Sequence, residues 1–247
     1  MSPLSFGPLE TVVIEPEGGA PVEGVVLLCH GFGAPGTDLV GLADMFRYAE
    51  PEWAQKTAFV FPAAPLDLGD IGMYGGRAWW PINMAKLQEQ IASRDIRRLV
   101  EETPPGLHEA RQQLTECVTA CLTHYGLTAD RLVLGGFSQG AMVTTDLALS
   151  LSPPPAGLIV FSGMLINAGQ WRTATTEQPA RFPVWQSHGR YDVVLPFEGA
   201  VALQNQLTSQ KWSVTFEPFA GGHEIPRQAL GSAIRFAKNS LSQAKPS

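Results

Sequence analysis

The run Val25-Val26-Leu27-Leu28-Cys29 offers no polar side chain to either face of a strand. A strand with one wet face alternates polar and apolar residues, so an unbroken apolar run predicts a strand covered on both sides. The pattern recurs: residues 24–29, 57–61, 131–134 and 157–161 are largely apolar, and 11–14, 183–187 and 214–218 read as further strands. Between them, 107–124, 199–207 and 227–241 place apolar residues at helical spacing, as in Leu114, Val118, Cys121 and Leu122. Alternating strands and helices predict an α/β class with a mostly parallel central sheet flanked by helices. With 45% apolar residues in 247, the chain can fill such a core, and a single domain over 1–247 is expected.

Residues 66–105 interrupt this rhythm. The stretch is too long for a plain connection and holds Met73-Tyr74-Gly75-Gly76-Arg77-Ala78-Trp79-Trp80-Pro81-Ile82, then an amphipathic segment around 87–100. Long insertions of this kind form lids or pocket walls. Two adjacent tryptophans cannot both face one side of a strand, so a loop presenting aromatic surface is expected there.

In parallel sheets the chemistry gathers beyond the C-terminal strand ends. After the apolar run 131–134 stands Gly136-Phe137-Ser138-Gln139-Gly140, which fits G-x-S-x-G. That pattern holds a serine at the tip of a sharp strand-to-helix turn, with small residues two before and two after to admit the close approach. Serine is a weak nucleophile at neutral pH and needs a base, itself oriented by an acid. Asp192 follows the strand at 183–187 and His223 follows the one at 214–218, giving the order nucleophile, acid, histidine. Asp146 and Glu198 compete less well, since one falls inside the nucleophile helix and the other beyond Pro196. His188 is expected to brace the acid loop, His30 to organise its own loop, and His108 and His124 to face solvent.

A net charge of −6 without a lysine or arginine run argues against a nucleic-acid partner. Arg94, Arg97 and Arg98 are offset by Asp95, Glu101 and Glu102. No apolar run reaches the length of about 18 residues that a bilayer span requires, so no stable membrane insertion is expected. The N-terminus MSPLSFGPLETVVIEPEGG has no basic start followed by a long apolar stretch, and a cytoplasmic location is expected. Cys117 and Cys121, four apart on one helix face, read as buried small hydrophobes. Neither an H-x-x-x-H nor a C-x-x-C cluster is present, so neither a metal nor another cofactor is expected.

The four segments Cys29-His30-Gly31-Phe32-Gly33, GFSQG, SHGRYDVVLP and GGHEIP, spread from Val25 to Pro226, resemble the phospholipase/carboxylesterase branch of the α/β-hydrolases. That branch includes acyl-protein thioesterases. The resemblance implies the α/β-hydrolase fold, with Ser138 attacking an acyl carbonyl, His223 carrying its proton and Asp192 holding the imidazole. It further implies an oxyanion hole from the backbone N–H groups of Phe32 and Gln139, and a substrate pocket lined by Met73, Trp79, Trp80, Ile82 and Leu195, with Phe32 beside them. The implied activity is hydrolysis of small carboxylic esters through an acyl-enzyme, with a thioester or lysophospholipid as the nearest alternative. A non-catalytic binding protein on the same fold, and an acyltransferase or perhydrolase, are the rivals; a homodimer is left open. Departures fall at Ala141, at Ala34-Pro35-Gly36-Thr37-Asp38, and at Arg190 and Tyr191.

Overall fold

A computed structural model of the protein describes residues 4–92, 96–178 and 180–243. The chain opens with strands β1 (Leu4–Phe6), β2 (Leu9–Ile14) and β3 (Gly24–Cys29). Helices α1 (Leu42–Ala49) and α2 (Pro51–Ala54) lead to β4 (Thr57–Pro62). The insertion then contributes β5 (Leu66–Asp67), β6 (Arg77–Ala78), α3 (Met84–Ala92) and α4 (Ile96–Glu101). The rhythm resumes with α5 (Leu107–Tyr125), β7 (Leu132–Phe137), α6 (Gln139–Ser150), β8 (Gly157–Phe161) and α7 (Ala168–Glu177). It closes with β9 (Val184–Gly189), α8 (Phe197–Ser209), β10 (Val214–Phe219) and α9 (Arg227–Gln243).

Among the described residues the main sheet holds eight strands in the order β1-β2-β4-β3-β7-β8-β9-β10. From β4 to β10 every neighbouring pair is parallel, and β1 and β2 add an antiparallel edge. The apolar strands β3, β4 and β8 are buried at every position, as strands covered on both faces must be. Side chains alternate along β3 between two cores. Val25, Leu27 and Cys29 join Leu114 and Val118 of α5, Val143 and Leu147 of α6 and Leu203 of α8. Val26 and Leu28 point the other way, to Phe46 of α1 and Ala233 and Ile234 of α9.

The structure extends several expected elements. β9 runs on through Gly189 because parallel pairing with β10 continues to Pro218↔His188 and Phe219↔Gly189. His188 therefore lies within the strand rather than after it. Strand β1, helices α1, α2 and α7, and the β5–β6 hairpin had no clear signal in the sequence. The amphipathic stretch in the insertion forms two helices, α3 and α4; Arg94 and Asp95 lie outside the described residues. His108 and His124 are exposed, and all three cysteines are buried and free.

Candidate active site

Strand β7 ends at Phe137 and helix α6 begins at Gln139, so Ser138 makes the entire turn alone. Its φ of 55° and ψ of −121° lie in a region that a Cβ disfavours. Packing on both sides holds the strain. The Ser138 N–H donates to the Phe161 carbonyl at 2.9 Å, and the Met142 N–H donates to the Ser138 carbonyl at 3.2 Å. A Cβ at Gly140 would stand 2.1 Å from the Cys29 carbonyl oxygen, and one at Gly136 would stand 2.6 Å from the same atom. Both glycines of G-x-S-x-G are thus demanded by the close approach of the turn to the end of β3. Ala141, one of the departures, fits because Gly163 faces it: a Cβ on Gly163 would lie 2.8 Å from the Ala141 methyl.

The loops after β9 and β10 bring Asp192 and His223 to this serine. His223 Nε2 is 2.8 Å from Ser138 Oγ, and its Nδ1 is 2.7 Å from Asp192 Oδ2. A carboxylate only accepts, so Nδ1–H donates to Asp192 and the Nε2 lone pair faces the hydroxyl. Asp192 Oδ1 accepts the Val194 and Leu195 N–H groups at 2.8 and 2.9 Å. Burial pushes the Asp192 carboxyl up, but hydrogen bonds from His188, His223 and Leu195 outweigh it and hold the group well below the usual carboxylate range. The two loops are tied together by the Arg190 N–H on the Phe219 carbonyl at 2.8 Å and the Tyr191 N–H on the Gly221 carbonyl at 3.0 Å. Arg190 and Tyr191 send their side chains outward, Arg190 over the Phe197 ring at 5.1 Å, so their bulk leaves the acid undisturbed.

Two backbone donors are placed near Ser138. The Gln139 N–H opens α6, where a helix terminus leaves it without an intrahelical acceptor. The loop after β3 approaches from the other side: a Cβ on Gly31 would lie 3.3 Å from Ser138 Cβ, and Phe32 follows directly. Buried His30 fixes that loop. Its Nδ1–H donates to the Gly31 carbonyl at 2.8 Å, and its Nε2 accepts the Ala64 N–H at 3.0 Å. Burial lowers the basicity of His30, and its acceptor role requires the neutral ring.

A cavity of about 300 Å³ opens one helical turn past Ser138, at Met142, and beside the acid loop, at Leu195. Trp80 and Ile82 line it too, together with Met164 and Ile166, which the sequence reading did not single out. Their signal was position: Met142 is four residues after Ser138 on α6, and Met164 and Ile166 follow the C-terminal end of β8. Trp79 and Met73 are not on its wall. Trp79 is 1% exposed, with its indole N–H turned inward onto the His30 carbonyl at 2.9 Å, and Met73 packs beside Gly33. The tryptophan pair therefore leaves little aromatic surface to solvent: Trp80 is only 3% exposed, on the wall of the cavity. Among the described residues, no three His, Cys, Asp or Glu side chains are grouped to hold a metal ion, and no helix is long and apolar enough to cross a membrane.

The sequence profile of the Phospholipase/Carboxylesterase family matches residues 10–241. Acyl-protein thioesterase 1 of Eremothecium gossypii is 29% identical over 233 residues, covering 92% of each chain. Its counterpart in Schizosaccharomyces pombe is 26% identical over 233 residues, covering 93% of this chain and 96% of its own. Among solved structures, esterase PE8 superposes with a TM-score of 0.77 at 26% identity, covering 94% of this chain and 99% of that one. A Bacillus cereus carboxylesterase shares the fold at a TM-score of 0.68 and 16% identity, covering 94% of both. The mostly parallel, doubly covered sheet is that of the α/β-hydrolases.

Proposed function

The chain belongs to the phospholipase/carboxylesterase family, and on that premise we propose that it is a serine hydrolase cleaving carboxylic esters of apolar acyl groups through an acyl-enzyme. The single observation that carries the reading is the continuous chain from Ser138 Oγ through His223 to Asp192, with contacts of 2.8 and 2.7 Å.

In the proposed reaction His223 Nε2 takes the Ser138 proton as Oγ attacks the acyl carbonyl. Asp192 keeps Nδ1 protonated and stabilises the imidazolium that forms. The tetrahedral oxygen is received by the N–H groups of Gln139 and Phe32, and a preorganised donor of this kind lowers the barrier by about 3 kcal/mol. His223 then returns the proton to the leaving alcohol. Water attacks the acyl-serine by the same route in reverse, so no cofactor enters the cycle. The whole apparatus belongs to a single domain, with Trp80, Ile82, Leu87 and Leu99 of the insertion forming part of the pocket wall.

The apolar cavity suits the acyl chain. At roughly 30 Å³ per methylene, about the share of one water in the liquid, its 300 Å³ would take on the order of ten carbons. The curated relatives named acyl-protein thioesterase 1 support a thioester as a second substrate class. The same attack serves it, with a thiolate as the leaving group.

A fluorophosphonate probe tests the reading. It should label the folded protein stoichiometrically and leave Ser138→Ala unlabelled, while p-nitrophenyl esters and acyl-thioesters assayed side by side rank the two substrate classes. Folded protein that neither labels nor turns over any ester would instead favour a binding protein.

A further inference from the structure

Asp192 is shared between two imidazoles, and the second has no part in the proton path described above. His188 is wholly buried. Its Nε2 lies 2.9 Å from the Leu195 carbonyl and 3.2 Å from Asp192 Oδ2, and its Nδ1 lies 3.2 Å from the Gly163 carbonyl. All three partners are acceptors with no proton to give. A neutral imidazole has one N–H and one lone pair, so either tautomer would aim a lone pair at a carbonyl oxygen in a site shut off from water. A ring protonated on both nitrogens satisfies every one of these contacts.

We propose that His188 is a buried imidazolium that pairs with the same Asp192 oxygen, Oδ2, that receives His223, and that it acts as a positioning residue for the acid. Asp192 then accepts from Val194, Leu195, His223 and His188, filling the roughly four acceptor directions a carboxylate has. Its plane is fixed by these four partners together. The charge also counts: a cation beside Asp192 offsets the carboxylate that would otherwise favour the protonated form of His223.

The surrounding groups leave His188 and Asp192 as the coupled pair. Asp192 is the carboxylate within ion-pair distance of His188 among the described residues, at 3.2 Å. Arg190 is exposed and lies over Phe197, whose ring stands edge-on to His188 at 6.1 Å. Glu217 on β10 accepts from the Trp185 indole N–H at 3.2 Å, and Glu198 on α8 and Glu224 after His223 are exposed.

The protonation state is readable without turnover. In full-length protein labelled with 15N-histidine, long-range 1H–15N correlation at pH 8 should give two N–H nitrogens for His188. The five histidines of the chain are few enough to assign by contacts to Leu195 and Gly163. A lone-pair nitrogen on His188 at that pH overturns the proposal.

The kinetic consequence rests on the hydrolase reading and is measured separately. In His188→Gln, whose amide can still donate hydrogen bonds but carries no charge, the acid limb of kcat/KM for p-nitrophenyl butyrate should move up by about one pH unit. A reduced rate with an unmoved acid limb would mean that His188 only fills space, and would overturn the positioning role. If the variant does not fold, the spectrum of the wild-type protein still decides. An inactive protein whose His188 is doubly protonated would refute the hydrolase reading and leave the buried charge standing.

Discussion

The Gln139 side chain accepts the Trp79 backbone N–H at 2.9 Å, tying the residue after the candidate nucleophile to a loop sixty positions away in the chain. Its amide nitrogen completes the tie by donating to the Trp80 carbonyl at 2.8 Å. Gln139→Leu keeps the backbone N–H but strands two buried groups of the 79–80 backbone, at a cost of about 1–3 kcal/mol for each. Urea unfolding should show a midpoint lowered accordingly. Fluorophosphonate labelling of Ser138 should persist, while selectivity for acyl length weakens as the cavity wall loosens.

Acyl length should be limited by the cavity rather than by the reacting atoms. Trp80→Ala is a poor probe because Trp80 is 3% exposed, and emptying so buried a site costs roughly 3–5 kcal/mol of stability. Ile82 is half-buried on the same wall. Ile82→Trp should shorten the pocket with little effect on folding. Each methylene refused apolar contact costs about tenfold or more in kcat/KM, so decanoyl ester should lose at least that factor while acetyl ester is spared. Parallel loss on both esters would mean that the acyl chain lies elsewhere.

Helix propensity and sterics disagree at Gly140, and sterics should win. Within a helix, alanine is preferred to glycine by about 1 kcal/mol. At position 140, however, a Cβ would sit 2.1 Å from one carbonyl oxygen and 2.5 Å from the next, on Cys29 and His30. Backbone cannot swing aside as a flexible side chain would. Gly140→Ala is therefore expected to cost roughly 3 kcal/mol and to abolish ester turnover. Gly231 in α9 is the control, since a Cβ there would meet only the Arg235 guanidinium at 3.8 Å. Gly231→Ala should gain up to about 1 kcal/mol in the same urea titration.

Much of the architecture was legible because its causes are local or periodic. The unbroken apolar runs announced buried parallel strands, and the glycines around Ser138 announced a turn that cannot tolerate a Cβ. The placement of Asp192 and His223 could be anticipated from the rule that loops at C-terminal strand ends converge. What escaped the sequence depends on long-range partners. Gln139 shows no sign of its side-chain role until the 79–80 backbone arrives beside it, and Trp79 turns inward because the His30 carbonyl offers its indole a partner. The β5–β6 hairpin pairs only two residues on each strand, too few for a period to register. Met164 and Ile166 became cavity wall only once α3 and α4 closed the opposite side.

His30 should make the fold sensitive to mild acid. Burial lowers its basicity relative to the ordinary value near 6.5, and the neutral ring is needed to accept the Ala64 N–H. At pH well above about 6.5 neither the folded nor the unfolded chain protonates this ring, and its full contribution to stability is present. As pH falls below that value, the unfolded chain takes up a proton that the folded chain refuses. Stability is then lost progressively until the folded ring also titrates. His30→Gln can supply both hydrogen bonds through its amide, donating to Gly31 and accepting from Ala64, but it cannot titrate. The difference in Tm between wild type and variant, followed from pH 8 to pH 5, should therefore shift in favour of the variant as the pH drops. A constant difference over that range would show that His30 takes up no more protons in the unfolded chain than in the folded one.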